Sequence, residues 1–246
     1  VTTTSPTLRT PSRVLALCSA SRIASAALLE GDKIIVEHTA PTSRQQAESL
    51  LPLVDRVLVD SETSIESLAG IGVSLGPGSF TSLRIGVATV KGLVFGLDTP
   101  VVGVSTLQAL ALASGAGNEP VVAALDAQRA EVYAAAFDTS QPSVPALEAV
   151  LPQLVYTADE LANQLQGPLR LVGEGAAIVG DRLRERLGSK AIQLEPEPAE
   201  ASAAQIGRLA AMRLAAGEGG SAADLAPHYV RRAEAEVTRT RERFEA

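Results

Sequence analysis

The chain has 246 residues, 46% of them apolar, and carries a net charge of −7 from 28 acidic against 21 basic side chains. That size and apolar content build one large cored domain or two small ones, while the acidic balance and 3% aromatic content exclude broad electrostatic capture of nucleic acid and a stacking platform for single-stranded bases. The single cysteine, Cys18, excludes an internal disulfide and a cysteine-based zinc site, and no run approaches the roughly 20 consecutive apolar residues of a membrane span.

Residues 1–12, rich in Thr, Ser and Pro, are expected to form a disordered leader, and Val1 to Arg13 lacks the apolar centre of a secretory signal, so a cytoplasmic protein is expected. Val14 to Leu17, Ile23 to Leu29 and Lys33 to Thr39 read as an antiparallel meander turned at Gly31-Asp32. Ala47, Leu50, Leu51, Val54, Val57 and Leu58 recur at helical spacing and predict a helix from Ser43 to Val59. A strand at Gly70 to Leu75, a long helix from Ser79 to Gly96, a strand at Pro100 to Val104 and a helix from Ser105 to Ala113 complete the first half. Gly115 to Pro120 is the candidate linker.

The second half repeats that order. Val121 to Asp126, Glu131 to Asp138 and Val150 to Val155 are the expected strands, the first two joined by a short turn at Gln128-Arg129. Helix Ala158 to Gln166, strand Leu169 to Val172, helix Ala176 to Leu187, strand Ala191 to Leu194 and helix Ser202 to Ala216 follow. Two βββαβαβα halves, residues 13–114 and 115–230, predict a duplicated α/β fold in which each half is a mixed five-stranded sheet covered by helices. This is the order of the actin-like (ASKHA) ATPases and sugar kinases, and topology alone does not give function. Residues 231–246 alternate arginines with acids and read as a charged, solvated tail.

The most informative stretch is Gly72 to Gly96. Gly76-Pro77-Gly78 breaks an apolar strand, and Ser79 stands where it can cap the apolar helix that begins at once. Free backbone N–H groups and the helix dipole favour an anion at such a turn; a plain tight turn explains the glycines equally well. Behind it, the helix is apolar on more than one face, with Ala88, Gly92 and Gly96 four apart. Either a neighbour covers the surplus, through Leu50, Leu53, Val54 and Val57 of the first helix and Leu83, Val87, Val90, Lys91 and Val94 of the second, or the monomer covers both. Arg84 and Lys91 share one face and suit a phosphate, an acidic partner or plain solvent. Asp126 and Glu131 read either as an acid and base or as partners in local ion pairs.

Gly76, Pro77, Gly78, Ser79, Phe80, Thr81 and Arg84 within Leu75–Leu93, then Pro100–Leu107, then Asp126–Tyr133 and the closing Pro227-His228-Tyr229-Val230-Arg231 closely resemble the TsaB (YeaZ) family. The likeness covers roughly Arg13 to Glu234. It implies a part in making N6-threonylcarbamoyladenosine on tRNA, without catalytic residues or a metal in this chain. It implies a scaffold for the transferase TsaD as a heterodimer, with the ATPase TsaE joining, a homodimer when alone, and tRNA met only through the complex. No cofactor is expected to be held tightly, and ATP or ADP is admitted only at the interface of the complex.

The rival is a TsaD-like threonylcarbamoyltransferase or a glycoprotease-type metalloenzyme. In that branch two histidines four apart on a helix hold a metal, a spacing that puts both imidazoles on one face. Thr106 and Leu110 occupy those positions here, and His38 and His228 lie elsewhere. Actin-like ATPases carry an acid at the end of the first strand, and most relatives read Leu-Asp-Thr-Ser; this chain reads Leu17-Cys18-Ser19-Ala20. Ser19 and Ser21 could still bond a phosphate, and Cys18 is either a reactive thiol or a small buried hydrophobe. Ser82 stands where the family often has glycine, and Thr42-Ser43 where relatives show His-Ser.

Overall fold

The computed structural model describes residues 12–20, 23–41, 46–140, 147–194 and 200–230. The expected leader, the charged tail, Ser21 and the predicted helix start at Ser43 lie outside the described residues, Ser12 excepted. Strands β1 (Arg13–Cys18), β2 (Ile23–Glu30), β3 (Lys33–Pro41), β4 (Gly70–Gly76) and β5 (Val101–Ser105) form one sheet in the order β3-β2-β1-β4-β5. Strands β6 (Val121–Asp126), β7 (Glu131–Phe137), β8 (Ala149–Thr157), β9 (Leu169–Val172) and β10 (Ile192–Leu194) form the other, in the order β10-β9-β6-β7-β8. Counted within each half, the two orders coincide. In both, the hairpin strands pair antiparallel and the later ones parallel. This is the duplicated mixed-sheet fold read from the element order.

Period-two alternation splits the side chains of β1 between two apolar layers. Leu15 and Leu17 face helices α1 (Gln46–Asp60) and α2 (Phe80–Leu93) on the outside, while Val14, Ala16 and Cys18 face inward. In the second sheet Val122 and Ala124 join Leu161 of α4 (Ala158–Gln164) and Val179 of α5 (Ala176–Leu187), whereas Val121 and Ala123 face inward too. Both inward faces meet α3 (Thr106–Ala113) and α6 (Ala203–Ala215), giving five layers with these two helices in the middle.

In the middle layer, helices cross between the halves. Helix α6, from the second half in sequence, packs on β1, β2, β4 and β5 of the first sheet, and α3 reaches β6 and β7 of the second. Small residues permit it: a Cβ added to Gly72 of β4 would stand 2.5 Å from Ala210 Cβ of α6. Arg170 of β9, only 7% exposed, fastens the junction by donating to the carbonyls of Ser114 and Gly115 at 2.7 and 2.9 Å and to Thr139 Oγ1 at 2.8 Å. Its charge there complements the carbonyl end of α3. Among the described residues no helix is long and apolar enough to cross a membrane.

Candidate functional site

The glycine turn packs closely on its neighbours. Gly76 has φ +113 and the Gly76–Pro77 bond is cis. A Cβ on Gly78 would lie 2.6 Å from the Ala20 carbonyl, so the turn rests directly on the connection between β1 and β2. Beneath it, buried Ser19 donates from Oγ to the Ser82 carbonyl at 2.8 Å and from its N–H to Ser74 Oγ at 3.2 Å. Ser82 itself is fully buried, and its small side chain lets α2 lie close to the sheet. Ser79 is exposed at the helix N-cap but makes no capping bond through its side chain, contrary to expectation.

Two motifs 145 residues apart meet at the start of α2. Arg84 Nε donates to Tyr229 Oη at 2.8 Å. The Phe80 and Tyr229 rings stack at 4.8 Å, and the Arg84 guanidinium lies 3.9 Å from the Phe80 ring centroid. Lys91 Nζ donates to the Ala223 carbonyl at 3.1 Å. The basic face of α2 is thus occupied by the chain's own closing segment, which the sequence reading did not foresee. The signal was present in Pro227-His228-Tyr229-Val230-Arg231, a motif with an evident family likeness and no evident chemistry.

The positions that carry chemistry in the rival reading do not fit a metal or a magnesium nucleotide. Thr106 and Leu110 are both 0% exposed, within the apolar layer between the sheets. Cys18 is also fully buried there, its Sγ donating to the Ala201 carbonyl at 3.3 Å, the small-hydrophobe alternative. No group of three or more His, Cys, Asp or Glu among the described residues is placed to hold a metal. Asp126 serves its own turn: Oδ1 accepts from the Gln128 N–H at 2.6 Å and Oδ2 from Gln128 Nε2 at 3.1 Å. Gln128, Arg129 and Ala130 all have left-handed φ, between +58 and +64. Such a run costs free energy at each residue, and the Asp126 bonds help to hold it.

The expected partner contacts need correcting. Leu50, Leu53, Val54, Val57, Val87, Val90 and Val94 are at most 6% exposed, packed between α1, α2 and their own sheet, while Leu83, 2% exposed, joins the inner apolar layer next to Gly76. Lys91 is bonded to the closing segment. Those positions are thus covered within the monomer, and the outer strip of the helix pair consists of other residues, some of them apolar. On α1 these are Leu51, Asp55 and Val59; on α2 they are Thr81, Arg84, Ala88 and Gly92, with Phe95 just beyond, 90% exposed. A Cβ on Gly92 or Gly96 would meet nothing within 4 Å.

Comparison with known proteins agrees with this geometry. A family model described as TsaD, tRNA N6-adenosine threonylcarbamoyltransferase, matches residues 38–238. The tRNA threonylcarbamoyladenosine biosynthesis protein TsaB of Escherichia coli (strain K12) is 36% identical over 171 residues, 66% of this chain and 71% of that protein. The protein of the same name from Bacillus subtilis (strain 168) is 31% identical over 233 residues, 91% of this chain and 96% of that one. The chain belongs to the TsaB family. The structure of YeaZ from Pseudomonas aeruginosa, 29% identical, superposes with a TM-score of 0.75 over 89% of this chain and 99% of that one. A ROK hexokinase from Thermus thermophilus, 14% identical with a TM-score of 0.51 over 83% of this chain and 100% of that one, shares the fold alone.

Proposed function

We propose that this chain serves the biosynthesis of tRNA threonylcarbamoyladenosine as a noncatalytic subunit that binds and supports a TsaD transferase in the cytoplasm. TsaE joins that assembly, and tRNA is met only through it. The observation that carries the reading is the burial of Thr106 and Leu110: the two places where the transferase branch needs imidazoles are sealed, non-ligating core positions. Cys18 extends the argument to nucleotide, since the first strand ends without the acid. Nucleotide then belongs to the interface with the partner and is not held tightly by this chain.

The outer strip of α1 and α2 is the surface assigned to TsaD and, in its absence, to a second copy of the chain. Exposed Ala88 and Gly92 support this, because side chains of that size let another helix come close. Reconstitution tests the proposal: this chain, cognate TsaD and TsaE, ATP, threonylcarbamoyl-adenylate and tRNA, with each protein omitted in turn. Modified adenosine is expected only when TsaD is present and to fall sharply without this chain. Substantial modification by the chain alone would overturn the scaffold in favour of the transferase.

A further inference from the structure

The family likeness marks the closing Pro227-His228-Tyr229-Val230-Arg231 motif without giving it a task. The segment leading to it runs as a strap from the end of α6 along α2. Gly220 pairs with Val101 through both backbone bonds, at 2.9 and 3.0 Å, and Lys91 holds Ala223. Leu225 and Val230 are each 8% exposed, so the strap is seated at both ends of its last six residues. The His228 N–H donates to the Leu75 carbonyl at 2.8 Å, immediately before the glycine turn. A Cβ on Gly76 would stand 3.0 Å from the His228 carbonyl, so turn and strap are in direct contact.

The side chains of residues 228 and 229 hold different halves. His228 Nδ1 lies 3.0 Å from Gln153 Nε2 on β8, and Gln153 Oε1 accepts from Ser105 Oγ at 2.6 Å. Tyr229 meets Phe80 and Arg84 on α2. Tyr229 thus fixes an exposed guanidinium and an aromatic ring in one arrangement at the head of the strip that contains Thr81, Ala88 and Gly92. Without it, Arg84 regains its rotamers, and a partner crossing that strip must order it again at the expense of affinity.

We infer that Tyr229 is a positioning residue: the closing strap, anchored on both halves, sets the first turn of α2 in the form that a TsaD-type partner binds. This rests on the proposed function, and the test separates the two. Affinity for cognate TsaD is measured by calorimetry for the wild-type chain, Tyr229→Ala and Tyr229→Phe. In parallel, amide hydrogen exchange is followed at Leu83, bonded to the Ser79 carbonyl at 3.0 Å, and at His228. Tyr229→Ala should weaken binding roughly tenfold, the scale of one lost stacking and cation–π arrangement. It should also speed exchange at both amides, with the far-ultraviolet spectrum unchanged. Tyr229→Phe keeps the ring stack, loses only the hydroxyl, and should bind within about threefold of wild type.

Unchanged binding by Tyr229→Ala overturns the inference and leaves the proposed function standing. No binding by the wild-type chain overturns the proposed function and, with it, the inference. If Tyr229→Ala does not fold, Tyr229→Leu, which keeps apolar bulk but loses the ring stack and the hydroxyl, decides: binding weakened roughly tenfold supports the inference, and unchanged binding overturns it.

Discussion

The Arg84 side chain donates to the Tyr229 hydroxyl at 2.8 Å and lies over the Phe80 ring, so a cation beside a glycine turn is committed to the chain's own closing segment. A free arginine at that place would argue for a phosphate. Here its Nε is engaged within the chain, beside a turn that rests on Ala20. The same relationship explains why the two motifs of the family likeness belong together: each is the other's packing partner.

The first prediction concerns the helix pair. Leu53 and Val90 are 5% and 0% exposed. Leu53→Asp with Val90→Asp places unpaired carboxylates in the core and should unfold the chain, each costing on the order of 3 to 5 kcal/mol. Gly92→Leu, on the open strip, should instead raise stability by about 0.5 to 1 kcal/mol through helix propensity while abolishing association. Thermal melts and light scattering distinguish the two; a Gly92→Leu chain that still associates places the contact elsewhere.

Cys18→Asp introduces, at a fully buried position, the acid that the family likeness leads one to expect. The carboxylate would face the apolar layer near Ala201, so we expect a loss of about 3 to 5 kcal/mol in chemical denaturation. No magnesium-dependent ADP binding should appear by calorimetry. Tight binding by the variant would show that the missing acid alone had closed the nucleotide site.

Gly72→Ala probes the middle layer. The added methyl meets Ala210 Cβ at 2.5 Å, with the Ile206 carbonyl at 3.5 Å behind it, and neither is the far end of a flexible side chain. Destabilisation of about 1 to 3 kcal/mol is expected. A neutral result would mean that α6 does not rest on the first sheet.

Acid sensitivity should map in part to the start of α4. There the Thr157 N–H and hydroxyl both donate to Glu160 Oε2 at 2.8 Å, holding Glu160 below the usual carboxylate range; the backbone bond is the larger cause. A folded-state value below the unfolded one means that stability is fully present above the unfolded value and is lost as pH falls through the folded one. The loss should therefore develop below about pH 5. Asp138, lowered chiefly by the Ser140 backbone N–H, adds a contribution of the same sign. Glu160→Gln should reduce the drop in melting temperature between neutral and acid pH, and an unchanged acid limb would remove Glu160 from the account.

Much of the site could be read without coordinates because its chemistry is one of missing donors. Thr106 and Leu110 are visible in the sequence as positions without an imidazole and Cys18 as one without a carboxylate, and the structure adds that all three are buried. The partner surface was legible only to the level of helices. An apolar surplus on α1 and α2 shows that cover is needed, but periodicity does not say whether a sheet, a sister helix or a partner supplies it. Here α1, α2 and their sheet cover most of it among themselves, and the exposed remainder includes Leu51, Val59 and Phe95 beside the small residues Ala88 and Gly92.

The sequence by itself determined the order of strands and helices, the two-fold repeat, the glycine turn and the absence of the metal-binding pair. Those are matters of local periodicity, turn chemistry and side-chain identity. The tertiary structure decided that α3 and α6 form one layer between the sheets, that the glycine turn rests against Ala20 and His228, and that Tyr229 meets Arg84. Each of these depends on residues far apart in the chain finding complementary space. Gly72 under Ala210, or Gly76 beside His228, is a close approach that only the packed fold reveals.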